Sequence, residues 1–209
     1  MQISWNGLGS FTISAKPAQT EVSVVTNPFQ PSEGKFKAQT GSILVRSHDD
    51  KDTSNLAAVT AEHPEAGKKV FVVDHAGEYE VQGLFVTGID APKKDGTPHT
   101  MYRFDAESLR VGFLGALDRA LSASEVEALG PIDILILPAG GKGVLNPSDA
   151  AAVVAEIEPS IVIAAYVGSG DYAKPEALQR ELGCQSESVN KFKVTKSGLA
   201  EDMRFILFT

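Results

Sequence analysis

The sequence predicts an α/β domain in which two β-sheets pack on each other with helices on the outer faces. Three observations predict it. Residues up to Gly115 read as strands broken by turns, and beyond Gly115 helices and strands alternate. No fixed-period repeat, low-complexity tract or linker interrupts the 209 residues, so one domain spanning 1–209 is expected. A doubly wound sheet fits less well, because the first half offers few crossover helices.

The elements follow in order. "QISW" and "SFTIS" flank "NGLG", a glycine-rich hairpin signal. "EVSVV" runs up to "TNPF", where Pro28 ends the strand, and residues 30–40 read as a surface loop. "SILV" is the next strand and delivers the chain into "RSHDDKDTSN". "NLAAVTAEH" reads as a short helix that stops before Pro64. "KVFVVD", "AGEYEV" and "GLFVTGI" are strands, with Glu78 and Glu80 on one face and Tyr79 on the other. "HTMYRFD" and "SLRVGFL" pair as a hairpin across "AE".

After Gly115, "SASEVEALG" carries a serine cap, acidic first-turn residues and a closing glycine, the marks of a short helix. "IDILILP" is a continuous apolar strand. "NPSDAAAVVAEIEP" starts a helix with Asn146 as cap and Pro147 at the first helical position. "SIVIAAYV" is a strand and "KPEALQRELG" a helix, and "KFKVTKSG" and "MRFILF" close the chain as strands.

Composition narrows the function classes. Apolar residues at 43% and charged residues at 22% are ordinary for a soluble globular protein. A formal net charge of −8, with no run of Lys and Arg, argues against nucleic acid or an anionic membrane surface as partner. Cys184 is the sole cysteine, which excludes an intramolecular disulfide. "MQISWNGLGSFTI" has no basic leader before an apolar run, and no stretch reaches the roughly 18 apolar residues that span a bilayer. A cytoplasmic location is the expectation.

Candidate chemistry is sparse. "PAGGKG" lacks the P-loop spacing, although the backbone N–H groups of Gly140 and Gly141, ahead of the Asn146 cap, are candidates for binding an anion. The alternative there is a tight turn where a strand leaves its sheet. No G-x-S-x-G elbow occurs. Ser47 and His48 are adjacent on a strand and expected on opposite faces, which excludes a dyad. In "RSHDDKDTSN" a strand runs straight into one histidine and three aspartates, which reads as a metal site, the remains of one or only a charged turn. One nitrogen and several oxygens form a harder set than zinc prefers, leaning towards Mn²⁺ or Mg²⁺.

Taken in order, "WNGLGSF", "VVTNPF", "RSHDDKDTSN", "GEYEVQGLFVTGI", "VGFLGALDRAL", "ILILPAGGKG" and "IVIAAYVG" give the chain a family likeness. It resembles the metallo-β-lactamase fold, in particular a small hydrolase-like branch that includes ascorbate-phosphate lactonases. The resemblance covers nearly the whole chain. It implies an αββα sandwich with the active site at one edge, between the sheets, and a binuclear metal centre.

Carried over residue by residue, the metal motif is incomplete. His48 keeps the first histidine position and Asp52 the aspartate, whereas Asp50 and Thr53 stand at two further histidine positions. Leu8 stands for another histidine, Asn27 for the aspartate of "D-P", Ala116 for the bridging carboxylate and Ala165 for the last histidine.

The expectation is therefore a homologue with its binuclear zinc site lost: a pseudoenzyme that needs no cofactor and binds a small molecule or a protein partner. The alternative is a hydrolase of esters, lactones or phosphoesters with one divalent metal (Mn, Mg or Zn) on His48, Asp50 and Asp52. In it Asp52 would be the catalytic residue, orienting the attacking water. A third reading is a structural subunit that forms a homo-oligomer through sheet edges. Arg119 is expected as a ligand-binding cation in the old metal volume, paired with Asp50 or Asp52, or else as a solvated loop charge. His75 and His99 are either extra donors or surface or hydrogen-bonded histidines, His63 is a solvated loop histidine, and Asp118 is placed to reach back.

Overall fold

Strand-forming runs rich in Val and Ile build two sheets that share an apolar layer. The computed structural model describes residues 1–17, 20–30, 36–50, 55–62, 67, 69–168 and 170–209. The first half supplies β1 (Gln2–Gly7), β2 (Ser10–Ala15), β3 (Val22–Thr26), β4 (Gln39–Thr40), β5 (Ile43–Val45), β6 (Val59–Thr60), β7 (Phe71–Val73), β8 (Gly77–Val81), β9 (Leu84–Asp90), β10 (Thr100–Ala106) and β11 (Leu109–Phe113). The second half adds α1 (Ala123–Leu129), β12 (Ile134–Pro138), α2 (Pro147–Ile157), β13 (Ile161–Ala165), α3 (Pro175–Leu182), β14 (Ser186–Val189), β15 (Phe192–Lys193) and β16 (Arg204–Phe208).

A six-stranded sheet runs in the order β15-β1-β2-β3-β5-β7, and an eight-stranded sheet in the order β14-β16-β13-β12-β11-β10-β9-β8. Hairpins give the antiparallel pairs of β1 with β2 and β8 through β11, whereas β11, β12, β13 and β16 lie parallel. The β10–β11 turn is Glu107–Ser108, one residue later than expected, with φ of 53° and 62°. Two positive φ values in a two-residue loop match the right-handed twist of the strands they join.

Between the sheets, Ile3, Phe11, Ile13 and Val24 meet Phe104, Phe113, Ile136 and Ile163, all fully buried. Each such side chain contributes about 1.5–3 kcal/mol relative to exposure. On the outer face of the large sheet, Leu129, Val153 and Leu178 of α1, α2 and α3 pack on Leu135, Val162 and Phe205. The helix starts are those read from the sequence: Ser122 caps α1 in a reciprocal capping box with Glu125, and Asn146 caps α2 ahead of Pro147.

The cover on the other outer face is thinner. Val25, Leu44 and Val59 form a small cluster beneath the β4–β6 ribbon. Within "NLAAVTAEH", expected as a short helix, Leu56–Ala58 is a 3-10 turn that passes directly into β6, and His63 lies outside the described residues. Asn55 N–H is tied to Pro28 O at 2.5 Å, and β-branched Val59 and Thr60 favour the strand, so too few residues remain for an α-turn to propagate. No helix of the described residues is long and apolar enough to cross a membrane.

Candidate functional site

Loops after β3, β5, β11 and β13, together with the β1–β2 turn, converge at one end of the sandwich. Chain exit at strand ends is what gathers side chains from distant segments here, as it does in open α/β sheets generally.

Asn27 leaves β3 in a left-handed conformation (φ 37°) and is buried. Its Oδ1 accepts the Ser47 backbone N–H at 2.8 Å, and its Nδ2 donates to Ser47 Oγ at 2.8 Å. Ser47 Oγ lies 2.8 Å from His48 Nδ1. The Ser47 hydroxyl thus links the Asn27 amide to the His48 ring. Burial lowers the His48 pKa to about 4, with the Lys93 charge adding to it and Asp50 opposing, so the ring is neutral at neutral pH. Expected on opposite faces, Ser47 and His48 instead touch. They lie beyond the end of β5, in a bend, where the two-residue alternation no longer applies.

His99 sits alongside, its ring stacked on His48 with centroids 6.1 Å apart. Nδ1 is 3.1 Å from Ala91 O, and Nε2 accepts the Ala116 backbone N–H at 3.1 Å. A carbonyl can only accept and an amide N–H only donate, so the proton is on Nδ1 and the Nε2 lone pair is engaged. Burial, then the neighbouring His48, lowers this pKa to about 3. Gly115 fits between the two groups: a Cβ there would lie 2.4 Å from Ser47 Oγ and 2.7 Å from His99 Nε2.

Tyr166 closes the far side. It is buried, has φ 52° and makes a side-chain hydrogen bond with Asn27, and burial pushes its phenol pKa up. Its ring covers Gly9, where a Cβ would come within 2.4 Å. Leu8 O accepts both Trp5 Nε1–H (3.0 Å) and Tyr166 N–H (3.2 Å), so both aromatic residues pack. Ala116 and Ala165 are buried in the layer between the sheets.

The remaining candidates are dispersed. Asp50 is exposed near His48, and Asp52, Thr53, Lys51 and His63 lie outside the described residues. Arg46 bridges Asp49 and Asp74, each at 2.9 Å, and exposed His75 pairs with Asp74 at 2.8 Å. Asp118 does not reach back: its Oδ1 accepts Lys94 N–H.

Among the described residues, Arg119 pairs with Glu125, and its expected partner Asp52 lies outside them. Its guanidinium donates to both oxygens of Glu125 (2.9 and 2.6 Å) and to Pro92 O and Ala120 O. The partner that attracts it is the capping-box carboxylate of α1. Arg119 in turn holds the Glu125 carboxyl down to about 2 from an ordinary 4.5. A carboxyl depressed in the folded state stabilises fully above the unfolded value and loses that contribution as pH falls through the folded one. Arg119→Leu is therefore expected to lower stability by about 1–3 kcal/mol at neutral pH and to make little difference near pH 2. Denaturant titrations of both proteins at the two pH values check this.

Gly140 and Gly141 belong to a tight turn. Gly141 N–H donates to Leu145 O at 2.9 Å, and Gly140 O accepts Ala173 N–H at 2.9 Å. A Cβ on Gly140 would lie 1.8 Å from Tyr166 O, so glycine here lets two backbones approach. Lys142 pairs with Asp171, and the start of α2 is capped by Asn146 Oδ1 on Asp149 N–H. Among the described residues no group of three His, Cys, Asp or Glu side chains is spaced to hold a metal ion.

Comparison with known proteins agrees with this architecture. A family model described as "Beta-lactamase superfamily domain" matches residues 2–166. The UPF0173 protein PF0020 of Pyrococcus furiosus is 36% identical over 75 residues, which is 36% of this chain and 35% of that protein. The match thus spans about a third of the relative's length. A proposed Zn-dependent hydrolase of the metallo-beta-lactamase superfamily from Thermotoga maritima superposes with a TM-score of 0.81 at 22% identity, covering 99% of this chain and 97% of the other. Igni18, a metallo hydrolase from Ignicoccus hospitalis, gives 0.67 at 14% identity over 93% and 99% of the two chains. YhfI of Bacillus subtilis, a metallo-beta-lactamase fold protein, gives 0.63 at 9% identity over 100% and 96%. These likenesses establish the metallo-β-lactamase fold, and with a family model covering most of its length the chain belongs to the beta-lactamase superfamily domain family.

Proposed function

We propose that this metallo-β-lactamase-fold protein works by binding a small molecule or a partner chain, and that a hydrogen-bonded network of its own groups replaces the binuclear zinc centre. The observation that carries this reading is the connected set Tyr166–Asn27–Ser47–His48, with His99 locked onto the Ala116 amide beside it.

Zinc needs lone pairs from imidazole, thiolate or carboxylate. Asn27 is a neutral amide whose two ends are both engaged by Ser47, and the His99 lone pair already accepts a backbone proton. Leu8, Ala116 and Ala165 have no side-chain donor atom. The described residues thus do not fit a pair of ions. His48 is half-buried and Asp49 and Asp50 are exposed, so a ligand reaching this end of the sandwich would meet them first.

The second reading comes from neighbours described as Zn-dependent or metallo hydrolases. It places one divalent metal on His48, Asp50 and Asp52 and assigns hydrolysis of an ester, lactone or phosphoester. The two separate in a panel of activated esters, lactones and phosphodiesters assayed with and without Mn²⁺ and Zn²⁺. The binding reading expects no saturable turnover above the free metal. Metal-stimulated turnover that disappears in His48→Ala would replace it with the hydrolase.

A further inference from the structure

We propose that two copies of this chain pair through β7, the outermost strand of the six-stranded sheet, antiparallel about a two-fold axis at Val72.

Four strands end the two sheets: β7 and β15 in one, β8 and β14 in the other. Edge strands expose unpaired N–H and C=O groups, and soluble proteins usually guard them with charge or with short length. Three of the four are guarded. β8 carries Glu78 and Glu80, which pairing about Tyr79 would set against the other copy's Glu80 and Glu78. β14 carries Glu187, tied to Arg204, and β15 is two residues long. β7 is not guarded. The run Val70–Val73 is wholly apolar, and Phe71 and Val72 are 45% and 43% exposed.

The backbone of β7 fixes the geometry. It lies parallel to β5 in the register Ile43↔Phe71 and Val45↔Val73, with Phe71 N–H donating to Ser42 O and Val73 O accepting Arg46 N–H. Phe71 and Val73 therefore turn their peptide groups towards β5, and Val72 turns its N–H and C=O the other way. Among the described residues, nothing pairs with Val72 on that side. In an antiparallel ladder, opposed residues share the same bonding direction. Val72 must then oppose an outward-turned residue of the other copy; set against Val72 itself it exchanges two hydrogen bonds and centres the axis on the exposed apolar residue, with Val70 opposing Asp74.

Side chains agree with this register. Val72 meets its own copy on the outer face, while Phe71 opposes Val73 on the inner face, where Phe71 already packs edge-on against Tyr79 at 6.0 Å. At each end Lys69 opposes His75 of the other copy, next to a corner where two carboxylates, Asp49 and Asp74, share the single guanidinium of Arg46. Charge complementarity at β7 and like-charge repulsion at β8 thus select one edge and one occupant, a second copy of the chain.

A ladder this short buries less than the roughly 1,200–2,000 Å² of standard interfaces, so association in the micromolar range is expected. Sedimentation velocity from low to high micromolar concentration should show the 22.2 kDa chain shifting to twice that mass. Val72→Pro removes only an N–H that β5 does not use and should abolish the shift with an unchanged circular dichroism spectrum. Val72→Lys, which places like charges on the axis, should do the same and carries the test if the proline variant misfolds. Phe85→Ser changes the 55% exposed Phe85 inside the other sheet and should leave the shift intact. A wild-type protein that stays at one mass throughout, or a dimer that survives folded Val72→Pro or Val72→Lys, overturns the proposal.

Discussion

Gly115→Ala is expected to destabilise the protein by about 2–5 kcal/mol, the sum of an unfavourable left-handed backbone and steric overlap. The backbone at Gly115 has φ +57°. The new methyl would lie 2.4 Å from Ser47 Oγ and 2.7 Å from His99 Nε2, two atoms held by other partners. Neither can yield without breaking its own hydrogen bond. The variant therefore disrupts both arms of the network. Gly143→Ala is the matched comparison: φ is +84°, but nothing lies within 4 Å of the added carbon, so only the conformational cost of roughly 1–2 kcal/mol applies. Urea titrations separate the two. Equal losses in both variants would mean that the Ser47–His99 gap is looser than described.

His99→Ala is expected to cost about 3–5 kcal/mol, combining a cavity with two lost partners. His99 is 3% exposed, and its removal leaves the Ala116 N–H without an acceptor and Ala91 O without its side-chain donor. The loss should be the same in chelator and in excess Zn²⁺ or Mn²⁺, because the ring holds two backbone segments together. If His99 were instead a metal ligand, the wild-type protein would gain stability from metal and the variant would not. Melting curves of both proteins with and without metal decide between these.

Much of the fold can be read from local chemistry. The S-x-x-E start of α1, the N-P start of α2 and the glycine after α3 each satisfy helix-end groups with residues adjacent in sequence, so the sequence carries them openly. β14 was not visible, because "SESV" has no apolar face, and its parallel pairing with β16 comes from a partner about twenty residues away. The candidate site was legible as a list of substitutions but not as a structure. His99 acts through the backbone atoms of Ala91 and Ala116, which leave no trace in side-chain patterns. Ser47 reaches His48 in the bend after β5, where strand alternation no longer predicts which side chains meet. Tyr166 gave no signal beyond being aromatic, since its bond to Asn27 spans most of the chain. Arg119 pairs with the Glu125 carboxylate only six residues ahead, a loop contact that follows no strand or helix spacing.

The proposed binding function rests on the described side chains of the site having one another as partners, so that they offer no cage for a pair of ions. Calorimetric titration of chelator-treated protein with Zn²⁺ and Mn²⁺ addresses that most directly. The network predicts heats indistinguishable from dilution and no rise in melting temperature. Two equivalents bound tightly, with the heat abolished in His48→Ala, would contradict it.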